Sequence, residues 1–128
     1  MAADPSGLAP LSRGPSARVE IANAIVKIHA THYGRGPTKA RAHVTDELAL
    51  VVLEDIFTPV ERTLIEAGKA DKVLGMRDGF QAAMKEEFVS AVEVTSGRTV
   101  RAFVSQTILE PEMGVELFMF EPPEVPHD

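Results

Sequence analysis

The sequence predicts an α+β fold in which helices pack on a mainly antiparallel four-stranded sheet, in two layers and in the order α-β-β-α-α-β-β. Two pairs of strand-like segments are each joined by a short turn, which indicates two β-hairpins. Segments with helical periodicity lie before the first pair and between the two pairs. The length of 128 residues fits one domain, which we place at residues 16–121. We expect residues 1–15 to be a disordered tail and residues 122–128 to be an acidic, Pro-rich tail.

The first helix is predicted by apolar residues that recur at helical spacing between Ser16, a good N-cap, and Tyr33. Gly34 follows where a helix commonly ends with a left-handed residue, and Gly36 and Pro37 complete a tight connection to the next element. Residues 38–45, TKARAHVT, alternate between apolar and polar side chains, which is typical of a half-buried strand. Residues 48–54, LALVVLE, are apolar on both sides and predict a strand covered on both faces.

A short helix is predicted at residues 58–68 by four separate signals. They are an N-cap, a proline at the first helical position, a capping-box acid and a terminal glycine, found at Thr58, Pro59, Glu61 and Gly68. One longer helix is expected from about residue 70 to residue 95, closed by Gly97. Residues 98–109 and 114–120 then form the second hairpin.

The two predicted hairpins carry more apolar surface than the helices of one layer can cover. The last strand has Val115, Leu117 and Met119 on one face and Phe118 and Phe120 on the other. A sheet face left apolar needs a partner, and a homodimer is the simplest one. The alternative is that the first helix covers this second face within the monomer.

Composition excludes several classes of function. The chain has no cysteine, so disulfides and Cys-type zinc sites are ruled out. A net charge of −6 argues against nucleic-acid binding. No apolar run reaches the roughly 20 residues that a membrane-spanning helix needs, and the N-terminus lacks the pattern of a signal peptide. We therefore expect a cytoplasmic protein without direct membrane insertion.

Several ordered segments of the chain resemble the MpsC family, a bacterial family catalogued as a Na⁺-translocating membrane potential-generating system. The similarity extends over about residues 18–121, and its recurrent positions are Tyr33, Gly34, Gly36, Pro37, Thr58, Pro59, Glu61, Arg62, Gly97, Ser105 and Gln106. The resemblance implies an association with membrane-potential or bicarbonate-uptake systems, through a membrane-transport protein as partner. It implies no catalytic residues.

The clearest candidate site is a basic segment around the first helix-to-strand connection. Residues 16–45 hold five Lys or Arg against one Glu, a local charge of 5 − 1 = +4. Glycines that free backbone N–H groups, followed by alternate basic residues on one strand face, could bind a small anion. The proposed ligand-binding residues are Arg35, Lys39, Arg41, Arg62, Arg101 and Gln106. The structural alternatives are a capped helix leading to a solvated strand, a buried or interface ion pair for Arg62, and a hydrogen-bond partner in the core for Gln106.

Catalytic and metal sites find little support. His29 and His32 lie three residues apart on a helix, but no carboxylate is placed to complete a metal site, and no Ser-His-Asp pattern is present. We expect no cofactor and no metal. The sequence favours a non-enzymatic, oligomeric accessory or regulatory protein that binds a small anion or an acidic segment of a partner. The alternative is an enzyme that acts on a small anionic substrate through an Arg/Lys/Gln pocket.

Overall fold

The computed structural model describes residues 15–123, and the structural statements below refer to that part of the chain. It has four helices and four strands in the order α-β-β-α-α-α-β-β. The elements are α1 (Pro15–Tyr33), β1 (Lys39–Val44), β2 (Leu48–Glu54), α2 (Pro59–Glu66), α3 (Ala70–Ala83), α4 (Lys85–Ser96), β3 (Val100–Ile108) and β4 (Met113–Phe120). The predicted tails lie outside the described residues, except Pro15, which is helical, and residues 122–123.

The four strands form one sheet in the spatial order β1-β2-β4-β3, and every neighbouring pair is antiparallel. The two predicted hairpins are therefore present and meet through β2 and β4 at the centre of the sheet. The register between these strands runs from Leu48 opposite Met119 to Glu54 opposite Met113. The α+β fold class, with a four-stranded antiparallel sheet, is confirmed.

All the long helices pack on one face of the sheet. Side chains of α1, α3, α4 and the sheet share one buried cluster, which includes Ile21, Ile25, Ile28, Val51, Leu53, Val73, Phe88, Val92 and Phe118. Burying each large apolar side chain of this kind contributes about 1.5–3 kcal/mol. Because α1 lies in this layer, the alternative in which it covers the second sheet face is wrong.

The single long helix expected at residues 70–95 is two helices, α3 and α4, separated at Met84. Hydrogen bonds from the Met84 N–H to the Phe80 carbonyl and from the Phe88 N–H to the Met84 carbonyl continue across the break. The buried positions are 73, 77 and 81 in α3, and 88, 92 and 96 in α4. The step of seven residues from position 81 to position 88 is close to two turns of 3.6 residues, so the buried stripe continues from α3 into α4.

The predicted caps are confirmed except at the start of α1. Thr58 accepts a hydrogen bond from the Glu61 N–H, and the Glu61 carboxylate accepts one from the Thr58 N–H, which is a complete capping box. Gly97 ends α4 in the left-handed conformation. Ser16 lies inside α1, so the N-cap predicted there is wrong.

The connection from α1 to β1 explains its two glycines. Gly34 has a φ of +82° and its N–H donates to the Ala30 carbonyl, as expected for a helix C-terminus. A Cβ at Gly36 would lie 3.2 Å from Val26 Cγ1, so the chain passes directly against α1. These contacts account for the two glycines of the YGRGP segment.

Candidate functional site

The sheet face opposite the helices, here called the open face, is uncovered in the described chain. Across β2, β4 and β3 it presents ten apolar side chains: Leu48, Leu50, Val52, Ala102, Val104, Ile108, Met113, Val115, Leu117 and Met119. Val104 keeps 54% of its surface exposed. The helix-facing side chains that alternate with them, such as Val51 and Phe118, are fully buried. The two faces are thus both apolar, but only one has a covering layer.

The extent of the open face follows from sheet geometry. Strands lie about 4.8 Å apart and same-face residues about 6.7 Å apart along a strand, so each residue occupies roughly 32 Å² in projection. Ten apolar residues then form a patch of roughly 300 Å², and the whole four-strand face covers about 500 Å². The largest apolar patch on a typical monomer covers about 300–600 Å² and is often functional, and the open face lies at the lower end of this range.

Lys39 and Arg41 lie on the β1 margin of the open face, where His43 continues the row. Arg41 approaches Glu54 with 3.9 Å between Nη2 and Oε2, and this pair is largely exposed. Within residues 15–123 no carboxylate pairs with Lys39 or Arg101. Basic residues therefore lie at the β1 and β3 margins of an apolar centre, and the acidic residue Glu54, opposite Lys39, lies on the same face.

The structure places Gln106 differently from the expectation of a core-facing residue. It is exposed on the open face, in the same cross-strand row as Arg41 but three strands away, at roughly 14 Å. Its amide makes one weak contact, 3.4 Å from Nε2 to the Thr107 carbonyl oxygen. The expectation that Gln106 needs a buried partner is wrong, because the strand alternation directs its side chain away from the helices.

Arg35 and Arg62 belong to a separate ion-pair network beside the helix layer. The Asp55 carboxylate accepts hydrogen bonds from both guanidinium groups. Its oxygens lie 3.1 Å from Arg35 Nη2 and 2.6 Å from Arg62 Nη2. Arg62 also binds Glu112 at 2.8 Å and 2.9 Å, and Arg35 donates to the Phe57 carbonyl at 2.6 Å. The hydrogen bonds that Arg62 donates to Glu112 raise the pKa of Arg62, while hydrogen bonds donated by Thr38 and then Arg35 lower the pKa of Asp55.

The six residues predicted to bind an anion therefore do not form one pocket. Arg35 and Arg62 meet at Asp55, Lys39 and Arg41 lie at the β1 edge, and Arg101 and Gln106 lie on β3. Arg62 forms an ion pair with Glu112, as its structural alternative expected, but its side chain is 42% exposed, so the pair is not a buried one.

The interior holds a charged pair that the sequence did not predict. Arg77 and Glu61 have side chains only 1% and 3% exposed. Arg77 donates to Glu61 through Nε at 2.7 Å and through Nη2 at 2.6 Å, and to the Ile56 carbonyl at 2.8 Å. Burial alone would raise the pKa of Glu61, but the hydrogen bonds from Arg77 and Thr58 outweigh it and lower this pKa. Glu61 thus joins the α2 cap to α3.

A second buried polar group adjoins this pair. The Arg77 guanidinium lies 3.8 Å from the centre of the Tyr33 ring, and that ring stacks on His29 at 5.8 Å. His29 Nε2 is 3.4 Å from a Glu116 oxygen, and both residues are almost fully buried. Burial raises the pKa of Tyr33 to about 12, with Arg77 opposing this effect.

Three buried atoms of this group, His29 Nε2, Tyr33 Oη and Glu116 Oε1, have no hydrogen-bond partner among residues 15–123, and neither has the buried Oε1 of Gln81. Gln81 also lines a surface pocket of about 230 Å³ with Ser105 and Lys85. Two sequence signals could have revealed the group. Arg77 and Gln81 continue the four-residue spacing of Val73, and Glu116 alternates with Phe118 on the core side of the last strand.

The two histidines considered as metal ligands lie against different carboxylates. His29 faces Glu116, whereas His32 lies 3.6 Å from Glu87 on the surface. Among residues 15–123 no group of three or more His, Cys, Asp or Glu side chains is arranged to hold a metal ion.

These features define a small α+β protein with an uncovered apolar sheet face bordered by charged residues and a buried Arg–Glu pair between α2 and α3. The chain belongs to the MpsC family, because the family model described as "Na+-translocating membrane potential-generating system (MpsC)" matches residues 16–122. No curated protein and no solved structure matches the chain significantly. Within the described part of the chain, no helix combines the length and hydropathy needed to cross a membrane.

Proposed function

We propose that this protein is a non-catalytic, homodimeric accessory subunit of the membrane potential-generating system after which its family is described, and that the open face is the dimer contact. The observation that carries the proposal is the composition of this face. Ten apolar side chains cover its centre, and the nearest charged groups are confined to its margins.

The size of the open face suits a second copy of the same chain. Two flat sheet faces pack with their strands within about 30° of each other and about 10 Å apart. A face of about 500 Å² in projection from each copy gives a total near 1,000 Å², the lower bound for a specific interface. Obligate dimer contacts resemble a domain core cut in half, and the open face resembles the helix-facing side in its apolar content.

The accessory role rests on family membership together with this surface. A membrane-transport protein as partner, and a link to bicarbonate transport, rest on the resemblance alone. No observation on residues 15–123 favours the alternative of an enzyme for a small anionic substrate, because the six candidate residues are dispersed.

The test compares two matched substitutions of exposed valines. Val104→Asp places a charge on the open face, and Val94→Asp places the same charge on the outer side of α4, where the valine is 82% exposed. We expect sedimentation equilibrium to show dimers for the native protein and for Val94→Asp, and monomers for Val104→Asp. Circular dichroism checks that both variants are folded.

The expected loss follows from the burial of Val104 in both copies. Complete burial of a valine contributes about 1.5–3 kcal/mol, and about half of that surface is exposed before association. The substitution in both copies therefore removes roughly 1.5–3 kcal/mol of association free energy. The cost of burying two carboxylates adds to this loss, so the dissociation constant of the dimer should rise at least tenfold. A native protein that stays monomeric across the concentration series, or a Val104→Asp variant that dimerises normally, would refute the proposal.

A further inference from the structure

Strand β1 forms one edge of the sheet, and its outer side is available for backbone hydrogen bonds. The Thr45 N–H donates to the Leu48 carbonyl at 2.8 Å. This hydrogen bond determines which residues of β1 direct their backbone groups toward β2. Hydrogen-bonded positions alternate along an antiparallel strand, so the N–H and C=O groups of Ala40, Ala42 and Val44 point away from β2. Within residues 15–123 these three residues therefore present an unpaired ladder edge.

A groove of about 460 Å³ lies between this edge and α1. Val19 and Ala22 of α1 form one wall, and Ala40 and Ala42 of β1 form the floor. Because the floor side chains are small, an extended backbone can approach the edge closely. Val19 is 56% exposed, so its apolar surface is open to a bound segment.

The groove is basic. Arg18 and Arg41 line it, and Lys39 lies two residues before Arg41 on the same strand face. Within residues 15–123 no carboxylate pairs with Arg18 or Lys39, and Arg41 has only the 3.9 Å contact with Glu54. The charge of the groove therefore calls for an acidic occupant.

We infer that the β1 edge binds an extended acidic segment of a partner protein as a fifth strand of the sheet. Backbone hydrogen bonds to Ala40, Ala42 and Val44 give affinity, as in other cases of strand addition. Same-face residues of a strand repeat every two positions, so acidic residues at alternate positions of the segment face Lys39 and Arg41. This inference rests on the accessory role proposed above, because it specifies the kind of partner that such a protein binds. Binding at the β1 edge does not require dimerisation through the open face.

Two other occupants fit the edge less well. Pairing β1 with β1 of a second copy would bring the Lys39 and Arg41 rows of both copies together, and like charges across a ladder are destabilising. The chain's own acidic end, EPPEVPHD, contains three prolines, which lack the N–H that a ladder needs.

Fluorescence anisotropy with three labelled peptides tests this inference. The first alternates Glu with Val, the second has Lys at each Glu position, and the third keeps the Glu residues but has Pro at alternate Val positions. We expect only the first to bind. The double substitution Lys39→Glu and Arg41→Glu should weaken its binding at least about tenfold, and Lys72→Glu, on an exposed position of α3, should leave it unchanged.

Hydrogen exchange then separates strand addition from simple charge attraction. We expect the Ala42 and Val44 amides to exchange more slowly when the Glu/Val peptide is bound. Failure of this peptide to bind, equal binding of the Pro-containing peptide, or binding without amide protection would each overturn the inference. Repeating the titration with Val104→Asp keeps it separate from the dimer, because peptide binding should persist in that variant.

Discussion

Replacing Arg77 by alanine tests how much the buried charged pair contributes to stability. The substitution removes two hydrogen bonds to Glu61 and one to the Ile56 carbonyl, and it leaves the Glu61 carboxylate 2% exposed. An uncompensated buried charge of this kind costs about 3–5 kcal/mol. In a domain of about 100 residues, that loss lowers Tm by roughly 15–25 °C.

The matched control is Arg62→Ala. Arg62 also contacts two carboxylates, but its side chain is 42% exposed. Exposed ion pairs contribute about 0–1 kcal/mol, so the control should lower Tm by only a few degrees. Thermal unfolding followed by circular dichroism measures Tm of both variants, and urea unfolding measures their free energies of unfolding. Equal losses of unfolding free energy for Arg77→Ala and Arg62→Ala would show that burial does not determine how much an ion pair contributes to stability.

A double variant separates the value of the pair from the cost of breaking it. Glu61→Gln with Arg77→Met removes both charges, so no charge is left buried alone. We expect the double variant to be more stable than Arg77→Ala, although the capping box is weakened. The reasoning would be contradicted if the double variant lost as much unfolding free energy as the single variants Glu61→Gln and Arg77→Met lose together.

The same pair predicts how stability depends on pH. The pKa of Glu61 in the folded protein lies below its ordinary value of 4.5. A carboxyl group with a lowered folded pKa stabilises the protein above its unfolded pKa, and this contribution is lost as pH falls through the folded pKa. The native protein should therefore lose stability below about pH 4.5, and Glu61→Gln should lose less over the same range.

Two further substitutions have defined outcomes. Thr58→Ala removes the N-cap hydrogen bond to Glu61 and should cost about 1 kcal/mol, measured by urea unfolding; an unchanged midpoint would mean that the cap adds nothing here. Tyr33→Phe removes a buried hydroxyl that has no partner among residues 15–123, while the ring stays against Arg77. Because an unpartnered buried hydroxyl costs about 1–3 kcal/mol, the variant should be as stable as the native protein or more so. A clear loss of stability would show that this hydroxyl is hydrogen-bonded in solution.

Local signals predicted most of the secondary structure. The capping box at Thr58, the terminal glycines Gly34 and Gly97, and the alternation in β1 each depend on neighbours within a few residues. The break at Met84 was not predicted, because the helical periodicity of the buried residues continues on both sides of it.

The candidate site was predictable only in part. Alternation placed Lys39 and Arg41 on one face of β1, and the structure agrees. The grouping of these residues with Arg35, Arg62, Arg101 and Gln106 depended on strand order and loop paths, which sequence spacing does not contain. The partners of Arg62, namely Asp55 and Glu112, are 7 and 50 residues away in the chain.

The sequence by itself determined the α+β class, the hairpins, the caps and an excess of apolar strand surface, because each follows from local spacing and composition. Only the tertiary structure decided that every long helix covers the same sheet face, and hence which apolar surface remains open. It also brought Arg77 onto Glu61 and His29 onto Glu116. These contacts depend on how helices separated in the chain dock on one sheet, and that docking is set by the packing of the whole core.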